Sequence, residues 1–543
     1  MHRRMVRRVW LLSLLWSVPR APLVAQLAPA PLPLSNTDDA RTLPRGTFRL
    51  RASTAWTRID ALYGAPGDSV HGARPLGTLF SARDLEAREI PLLSQAEAAL
   101  RTLTGNSGLA LDVGRLVTTA DSRIVITPLA LEYGLSNRLT IGVLVPVVQT
   151  HSTVLVQLNP RALGNGANVG PNPARLGNTA AQARNAALVG MLDNARADLH
   201  SFVDACDANP GSCSAQQVAQ ATAAILRDSS YASALAILYG KAAEGSPFVP
   251  LGDAQSAVAA QLVSLQGDVN AVLGANRYTF DAPAGANGVA ALDQFRALAT
   301  DPQGAAYDSL GSPDRIGIGD VEVSAALRLT DSFGDTIRKG GLRYRAAVRG
   351  VLRLGTGRPS YGTVPFEVGT GTGQTSADGG AFLDLRFQPR FMTTLGGQYT
   401  AYFGSARIDR VPGDEFSPFP LGAPAAGSWR AGNAIQAEAT PRFLLTDYFT
   451  LHGHYAFRRQ EGSSFASPTI MQAPRFAASM EQRVGFGFAY STLARYARGR
   501  ASIPIEVLYA HLETIAGSGG LTPKLAREQI ELRIYYRFRR AGR

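Results

Sequence analysis

This sequence has little cysteine and, beyond its N-terminus, no long apolar run. Cys206 and Cys213 are the only cysteines among 543 residues. Two cysteine ligands without nearby histidines make a poor zinc site, so the pair is expected to close a local disulfide in an oxidising compartment. A membrane-spanning helix needs about 20 apolar residues, and the mature sequence offers no such run. If this chain spans a membrane, it therefore does so as a β-barrel.

Acidic residues are fewer than basic ones. The formal charge of +12 includes five arginines before Gln26, so the remaining chain carries +7, which is 12 minus 5. General solubility explains an excess of this size as well as nucleic-acid binding does. No basic stripe interleaved with aromatic residues marks a nucleic-acid groove, and we expect no nucleic-acid partner.

The N-terminus has the pattern of a secretory signal. Arginines within Arg3–Arg8 precede the apolar run Val9–Val18, and small residues follow it near Ala25. A second possible cleavage site lies at Ala28–Ala30. We predict a signal peptide at 1–25 and a proline-rich lead at 26–45, and therefore an exported protein.

Strict alternation of apolar and polar residues predicts the main secondary structure. Apolar side chains at every second position of Val321–Leu329 and of Leu342–Leu354 oppose charged or polar ones. Long strands of this kind, repeated along the chain, are typical of a barrel wall with lipid outside and water inside. The predicted fold is all-β and transmembrane: an antiparallel up-and-down outer-membrane β-barrel of about twelve strands, located in the outer membrane of a Gram-negative-type bacterium.

The predicted strands fall into two groups around an insert. Strands one to three, with a partly helical loop, occupy 46–150; an alanine-rich helical insert occupies 151–315; strands four to twelve occupy 316–540. Links after even-numbered strands are tight or moderate in length and links after odd-numbered ones are mostly long, which places the insert in an external loop. Two hairpin turns are predicted at Thr394–Leu395 and Thr446–Asp447.

Local signals refine the helical parts. Ser81 with Asp84, and Ser214 with Gln217, have the spacing of capping boxes. Apolar residues spaced by four and three, from Val258 to Val272, predict one stripe on a helix. Such a stripe is usually a packing face, although partner binding is an alternative.

Motifs for catalysis or cofactors are scarce. The glycine run Gly369–Gly373 precedes a strand, whereas a dinucleotide site needs a following helix, so we interpret the run as a flexible loop. His452 and His454 share one face of a strand; a polar lumen face explains them better than a metal site without a visible third ligand. We therefore predict no catalytic residue, cofactor or metal site.

Charged residues opposite the apolar faces are predicted to line the lumen. Arginine facing lipid at mid-membrane costs about 2–4 kcal/mol, which favours the inward orientation. The predicted lumen-lining residues are Arg328, Arg343, Arg345, Arg349, Arg353, Arg386, Arg390, Glu322 and Asp384. Two arrangements remain open: an open pore that favours anions, or a closed lumen in which the arginines pair with Glu322, Asp384, Glu438 and Glu531.

Three phrases resemble a known family. They are YGLSNRLTIGVLVPVV (Tyr133–Val148), GIGDVEVSAALRL (Gly317–Leu329) and RGVLRLGTGRPS (Arg349–Ser360). They look like phrases of the outer-membrane transporter-like proteins grouped as the meta-pathway of phenol degradation family. The resemblance covers the barrel from Gly46 to Phe538 and implies a channel for small hydrophobic or aromatic compounds. It departs from the family at Leu354–Gly357, where the family's proline is absent, and in the large insert.

Function remains open between two main hypotheses at this point. The first is an outer-membrane channel for passive uptake of small molecules, including aromatic or hydrophobic ones. The second is a surface binding or structural protein whose barrel anchors the helical insert. A barrel enzyme is a weaker third. The expected partners are outer-membrane lipid, the barrel assembly machinery and a small solute.

Overall fold

The computed structural model describes residues 39–63, 72–87, 90–160, 166–209, 211–240, 244–302, 306–333, 341–360, 363–410, 424–467, 478–519 and 522–537. Within these residues, twelve long antiparallel strands form one closed barrel. The strands are β1 (Thr47–Tyr63), β2 (Leu116–Gly134), β3 (Leu139–Leu158), β4 (Val321–Asp331), β5 (Arg343–Leu354), β6 (Ser376–Gln388), β7 (Phe391–Tyr402), β8 (Ala434–Leu444), β9 (Phe449–Gln460), β10 (Ser479–Ser491), β11 (Ile505–Ser518) and β12 (Thr522–Arg537). The short segment Asp314–Ile318 pairs with β3 just before β4 begins.

Pairing of the last strand with the first closes the wall. β12 pairs with β1 from Thr47 opposite Arg537 to Tyr63 opposite Thr522. Because each of the twelve described wall strands then has two neighbours, none of them presents an open edge to the membrane. The predicted fold class and strand number are confirmed, and both ends of the wall lie at the end of the barrel that carries the short turns.

The outer face of the wall is apolar. Leu50, Leu129 and Leu131 point outward and are each about half exposed, at 47%, 51% and 52%. At the short-turn end the outward side chains include aromatic rings, with Phe48 against Tyr133 at 4.6 Å between ring centroids and Tyr448 against Tyr490 at 5.9 Å. An apolar belt bordered by aromatic rings is what a lipid bilayer selects. Among the residues that the structure describes, no helix is long and apolar enough to cross a membrane.

Of the two hairpin turns predicted from the sequence, one is confirmed and the other is wrong. β8 and β9 meet at Leu445–Tyr448, as predicted. The prediction of a turn at Thr394–Leu395 is wrong: Gln388 pairs with Phe391, so the turn is Pro389–Arg390. Proline lacks the N–H that a strand interior needs, and its restricted φ suits a turn.

Five helices lie in the loops at the other end of the barrel. They are α1 (Ser94–Thr104), α2 (Thr179–Ala208), α3 (Ala215–Leu238), α4 (Asp253–Leu273) and α5 (Leu292–Thr300). The capping box of Ser214 and Gln217 begins α3, as predicted. The predicted stripe is a packing face, because Val258, Leu262 and Leu265 on α4 are fully buried in a shared apolar core.

Two other local predictions fail. Ser81 caps no α-helix; its hydroxyl donates to the carbonyl of Gly77 and accepts from the N–H of Thr118. The helix begins only at Ser94, since Pro91 disfavours helical backbone in the residue before it. β3 continues to Leu158 instead of ending at 150, because its alternation persists where the insert covers its inner face.

Cys206 and Cys213 are bonded to each other between α2 and α3, with their Cα atoms 5.6 Å apart. We predict that both thiols resist alkylation in unreduced, exported protein, measured by mass spectrometry. In the chain-entropy picture, this short loop contributes about 2–3 kcal/mol to the insert. Reduction should therefore loosen the insert and leave the barrel intact; full alkylation without reductant would contradict the prediction.

Asp228 introduces a pH dependence into the insert. Its side chain on α3 is fully buried, and burial raises its pKa from 3.8 to about 7. Arg196 Nη1 lies 3.3 Å from the carboxylate, but Arg196 also pairs with Asp193 and so offsets only part of the burial effect. The folded state holds this proton more tightly than the unfolded state does, so stability is full below pH 4 and falls as pH rises towards 7.

Hydrogen exchange of the α3 amides measures this effect. From pH 4 to pH 8 the free energy of opening should fall by about 3–4 kcal/mol in the wild type. The fall should vanish in Asp228→Asn. Asp193→Asn is the matched control. It leaves Asp228 as the only carboxylate that pairs with Arg196, so the pH-dependent loss in the free energy of opening should be smaller. An unchanged pH profile in Asp228→Asn would refute the assignment.

Candidate functional site

The lumen is the candidate site, and its wall is rich in arginine. The inward arginines of the described strands are Arg49, Arg51, Arg328, Arg343, Arg345, Arg349, Arg353, Arg386, Arg442, Arg458, Arg483, Arg527 and Arg533. The inward acids are Glu132, Glu322, Asp331, Asp378, Asp384, Glu438, Glu481, Glu506 and Glu531. The arginines outnumber the acids on the described strands, so the lumen carries positive potential.

The structure brings the predicted lumen residues together with one exception. On β5, the side chains of Arg343, Arg345, Arg349 and Arg353 share the inward face. Arg328 on β4 and Arg386 on β6 also face inward and are half-buried. Arg390 does not belong to this set, because the turn begins at Pro389 and leaves its side chain exposed outside the lumen.

Several of these arginines are ion-paired across neighbouring strands. Arg345 Nη2 lies 2.6 Å from an oxygen of Asp384, which is fully buried. Arg353 Nη2 lies 2.8 Å from Glu322 and 3.3 Å from Asp378. Removing one partner of such a buried pair leaves an uncompensated charge, so each pair locks its two strands in register. The sequence left two possibilities for the lumenal arginines, unpaired in an open pore or paired with acids. Arg345 and Arg353 are paired with acids.

A second network spans the seam where β12 closes on β1. Glu531 Oε1 accepts from Arg51 Nε at 2.8 Å and from Arg533 Nε at 2.7 Å. Arg51 also pairs with Glu132 on β2. One carboxylate thus holds two guanidinium groups that would otherwise repel each other in a buried place.

A segment outside the wall crosses the lumen at the short-turn end. We call Asp39–Arg45 the plug. Ala40 is fully buried against Ala347 and Phe382 of the wall, and Leu43 is nearly so. The chain leaves the lumen past Gly134, where an added Cβ would lie 2.2 Å from the carbonyl oxygen of Pro44. Glycine is therefore needed at that crossing.

Wall side chains satisfy the plug's backbone. Ala40 N–H donates to Asp384 Oδ2 at 3.2 Å, and Leu43 N–H donates to Thr140 Oγ1 at 2.8 Å. Arg45 N–H donates to Asn137 Oδ1 at 3.0 Å. Since buried N–H groups need acceptors, these contacts explain how an irregular segment can lie inside the barrel.

Charges bind the plug to opposite walls. Asp39 pairs with Arg442 on β8 at 3.3 Å, and Arg41 reaches Glu506 on β11 at 3.7 Å. Asp39 and Arg41 also pair with each other at 2.6 Å. A cavity of about 40 Å³ remains between the plug and Arg49, Glu132 and Arg349, among others. A water molecule needs about 10–15 Å³ of such space, so this cavity holds a few water molecules and is too small for an organic solute.

At the opposite end, Leu76–Phe80 and residues 363–375 pack on the inner face of the wall, and we call these two segments the lid. Phe80 packs against Phe366 at 6.3 Å between ring centroids. Ser152 on β3 donates to the carbonyl of Phe366 at 2.8 Å. The lid joins inward wall residues such as Ile124 to the helices of the insert in one apolar cluster.

The glycine run Gly369–Gly373 is packed within the lid, contrary to the predicted flexible loop. Asp320 accepts from the backbone N–H groups of Gly357 and Thr372, at 2.9 and 2.8 Å. An added Cβ at Gly371 would lie 2.6 Å from Asp320 Oδ1. Its glycines thus permit close approach of backbone to this carboxylate.

His452 and His454 face the lumen, as their spacing predicts. His454 Nδ1 lies 3.1 Å from the Thr440 hydroxyl. Within the described residues, no group of three or more His, Cys, Asp or Glu side chains is placed to hold a metal ion. The sequence missed the plug residues Asp39 and Arg41, because the proline-rich lead carries no periodicity that would mark it as lumenal.

Comparison with known proteins gives likeness of fold only. No protein-family model and no curated protein matches the chain. Among solved structures, the chain is similar to an outer-membrane channel from Pseudomonas putida F1, at 9% identity over 92% of this chain and 98% of that chain, with a TM-score of 0.39. It is also similar to the P. putida toluene transporter TodX, at 12% identity over 91% of each chain and a TM-score of 0.25. A Pseudomonas aeruginosa FadL homologue is 7% identical over 93% of this chain and 94% of that chain, with a TM-score of 0.24. Likeness at this level leaves the function to be argued from the lumen.

Proposed function

We propose that this chain is an outer-membrane channel for the passive diffusion of small organic anions, held shut in this state by the plug. Aromatic and hydrophobic carboxylates are the solutes that suit it best.

One observation carries the proposal: the wall is complete without the plug. Each of the twelve strands pairs with its two neighbours, and the plug contributes no strand to the sheet. Apart from the hydrogen bond from Thr47 N–H to the Pro44 carbonyl, where the plug joins β1, its described polar contacts with the wall are side-chain pairs and side-chain-to-backbone hydrogen bonds. The plug can therefore leave without breaking a β-ladder, as a gate requires.

The charge of the lumen supports the choice of solute. Wall arginines outnumber wall acids on the described strands, so a positive potential favours anions over cations. Arg349 is half-buried and lines the cavity beside the plug. Arg345 is less suited to selecting a solute, because Asp384 already neutralises it.

Liposome swelling tests the proposal. Proteoliposomes that contain the full chain should swell slowly in isotonic sodium benzoate, and faster when a Gly-Ser linker replaces Asp39–Arg45. The neutral reference solute is isotonic arabinose, because the uncharged analogue benzyl alcohol crosses lipid without a channel. Swelling should be faster in benzoate than in arabinose. Absence of swelling in both chains would overturn the proposal.

An anchor for the insert is the second candidate. The observation that favours it is the large apolar core that joins the helices to the barrel mouth. An anchor with a solid lumen would stay closed after removal of the plug, so the same swelling experiment separates the two functions.

A further inference from the structure

Beside the β9–β12 wall, the lumen holds polar groups that the ion-pair networks do not use. Arg527 on β12 is 1% exposed, and its Nε and Nη1 have no hydrogen-bond partner among the described residues. Nη2 donates to Gln529 at 3.1 Å. Burying a guanidinium whose Nε and Nη1 donors lack acceptors has a desolvation cost that no hydrogen bond offsets. A ligand that supplies an acceptor would therefore gain binding free energy there.

Three more orphan groups accompany Arg527. Thr57 on β1 lies directly opposite it in the ladder, and its hydroxyl is buried and unpartnered. On β9, Nε2 of His452 and Nε2 of His454 are also buried without a partner in the described structure. The Arg527 charge lies within electrostatic range of His454. The four groups thus lie on β1, β12 and β9, in one region of the lumen.

Two glycines on β10 form the wall surface between β9 and the strands β11 and β12. An added Cβ at Gly487 would lie 2.5 Å from His452 Nε2, and one at Gly485 would lie 3.0 Å from Leu512 Cγ. The imidazole and the leucine side chain therefore lie over bare backbone. Leu512 pairs with Arg527 in the ladder and adds an apolar surface next to the open donors.

We propose that Arg527, His454, His452 and Thr57 form a binding site for a small monocarboxylate with an apolar body, which rests against Leu512. The inference rests on the proposed channel function for the route by which the solute arrives.

Charge balance favours a monoanion. Arg483 is neutralised by the two oxygens of Glu481, both within hydrogen-bond distance. Arg527 then supplies one net positive charge to this part of the lumen. If the Thr440 hydroxyl donates to His454 Nδ1, Nε2 carries the proton and becomes a donor. A metal cation is disfavoured in the same place, since the net positive charge of Arg527 repels it.

Equilibrium dialysis with radiolabelled benzoate tests the site on the folded full chain in detergent, where no transport is needed. The wild type should bind one benzoate, and benzyl alcohol should bind at least about tenfold more weakly. Arg527→Gln should lose about tenfold or more in affinity. Arg58→Gln is the matched control, because Arg58 lies next to Thr57 but points outward and is exposed; its affinity should match the wild type.

Crystals of the wild type soaked in 4-bromobenzoate give a second measurement that needs no variant. The anomalous bromine peak should lie in the lumen near Leu512. Equal benzoate binding by Arg527→Gln and wild type, equal binding of benzyl alcohol, or a bromine peak elsewhere would overturn the site. Binding without liposome swelling would contradict the channel function and leave the site standing; swelling without binding would do the reverse.

Discussion

Asp39→Arg should turn the closed barrel into a conducting one. The substitution replaces the acid that pairs with Arg442 and Arg41 by a third cation in the same buried place. Breaking a buried pair costs about 3–5 kcal/mol, so the equilibrium between seated and released plug should shift by roughly 100-fold or more. Swelling rates of proteoliposomes measure the shift.

A charge swap makes this result specific. Arg442→Asp alone should also release the plug, because it places two acids together. The double variant Asp39→Arg with Arg442→Asp should close the channel again, since opposite charges face each other once more. Asp447→Arg is the control: Asp447 pairs with Arg498 in an exposed turn at the same end. A double variant as open as either single one would refute the pairing.

Glu531→Gln should impair closure of the barrel itself. Glu531 is 1% exposed and holds Arg51 and Arg533 at the seam between β12 and β1. Without its charge the two guanidinium groups repel each other in a buried site, and we expect a loss of about 3–5 kcal/mol in folding free energy. The folded fraction can be measured by heat-modifiable migration on SDS gels after refolding at increasing urea concentrations.

Glu513→Gln is the matched control for the seam. Glu513 is a glutamate of the neighbouring strand β11, but it points outward and is exposed. Its removal should leave the urea midpoint unchanged. A Glu531→Gln midpoint equal to that of Glu513→Gln would show that the seam does not depend on this network.

The wall was predictable from sequence because its physics is local and periodic. Each strand shows which side chains face lipid, so the inward orientation of Arg345, Arg353 and Asp384 followed from alternation alone. Alternation says nothing about distance, however. That Asp384 accepts from both Arg345 and the backbone of Ala40 depends on register and on a segment far away in the chain.

Features that lack a period could not be predicted. The plug is an irregular stretch whose N–H groups find acceptors on Thr140 and Asn137 of the wall, and no local pattern reports such contacts. The turn at Pro389 was misplaced because alternation continues on both sides of it. In retrospect proline was the available signal, since a strand interior disfavours it.

Single-channel recording in a planar bilayer tests the central claim most directly, namely that a complete wall is shut by a removable segment. The chain lacking Asp39–Arg45 should give sustained openings, and under a salt gradient its reversal potential should show preference for anions. The full chain should give rare, brief openings in the same bilayer. A plug-deleted barrel that folds but stays silent, or one that prefers cations, would contradict the account.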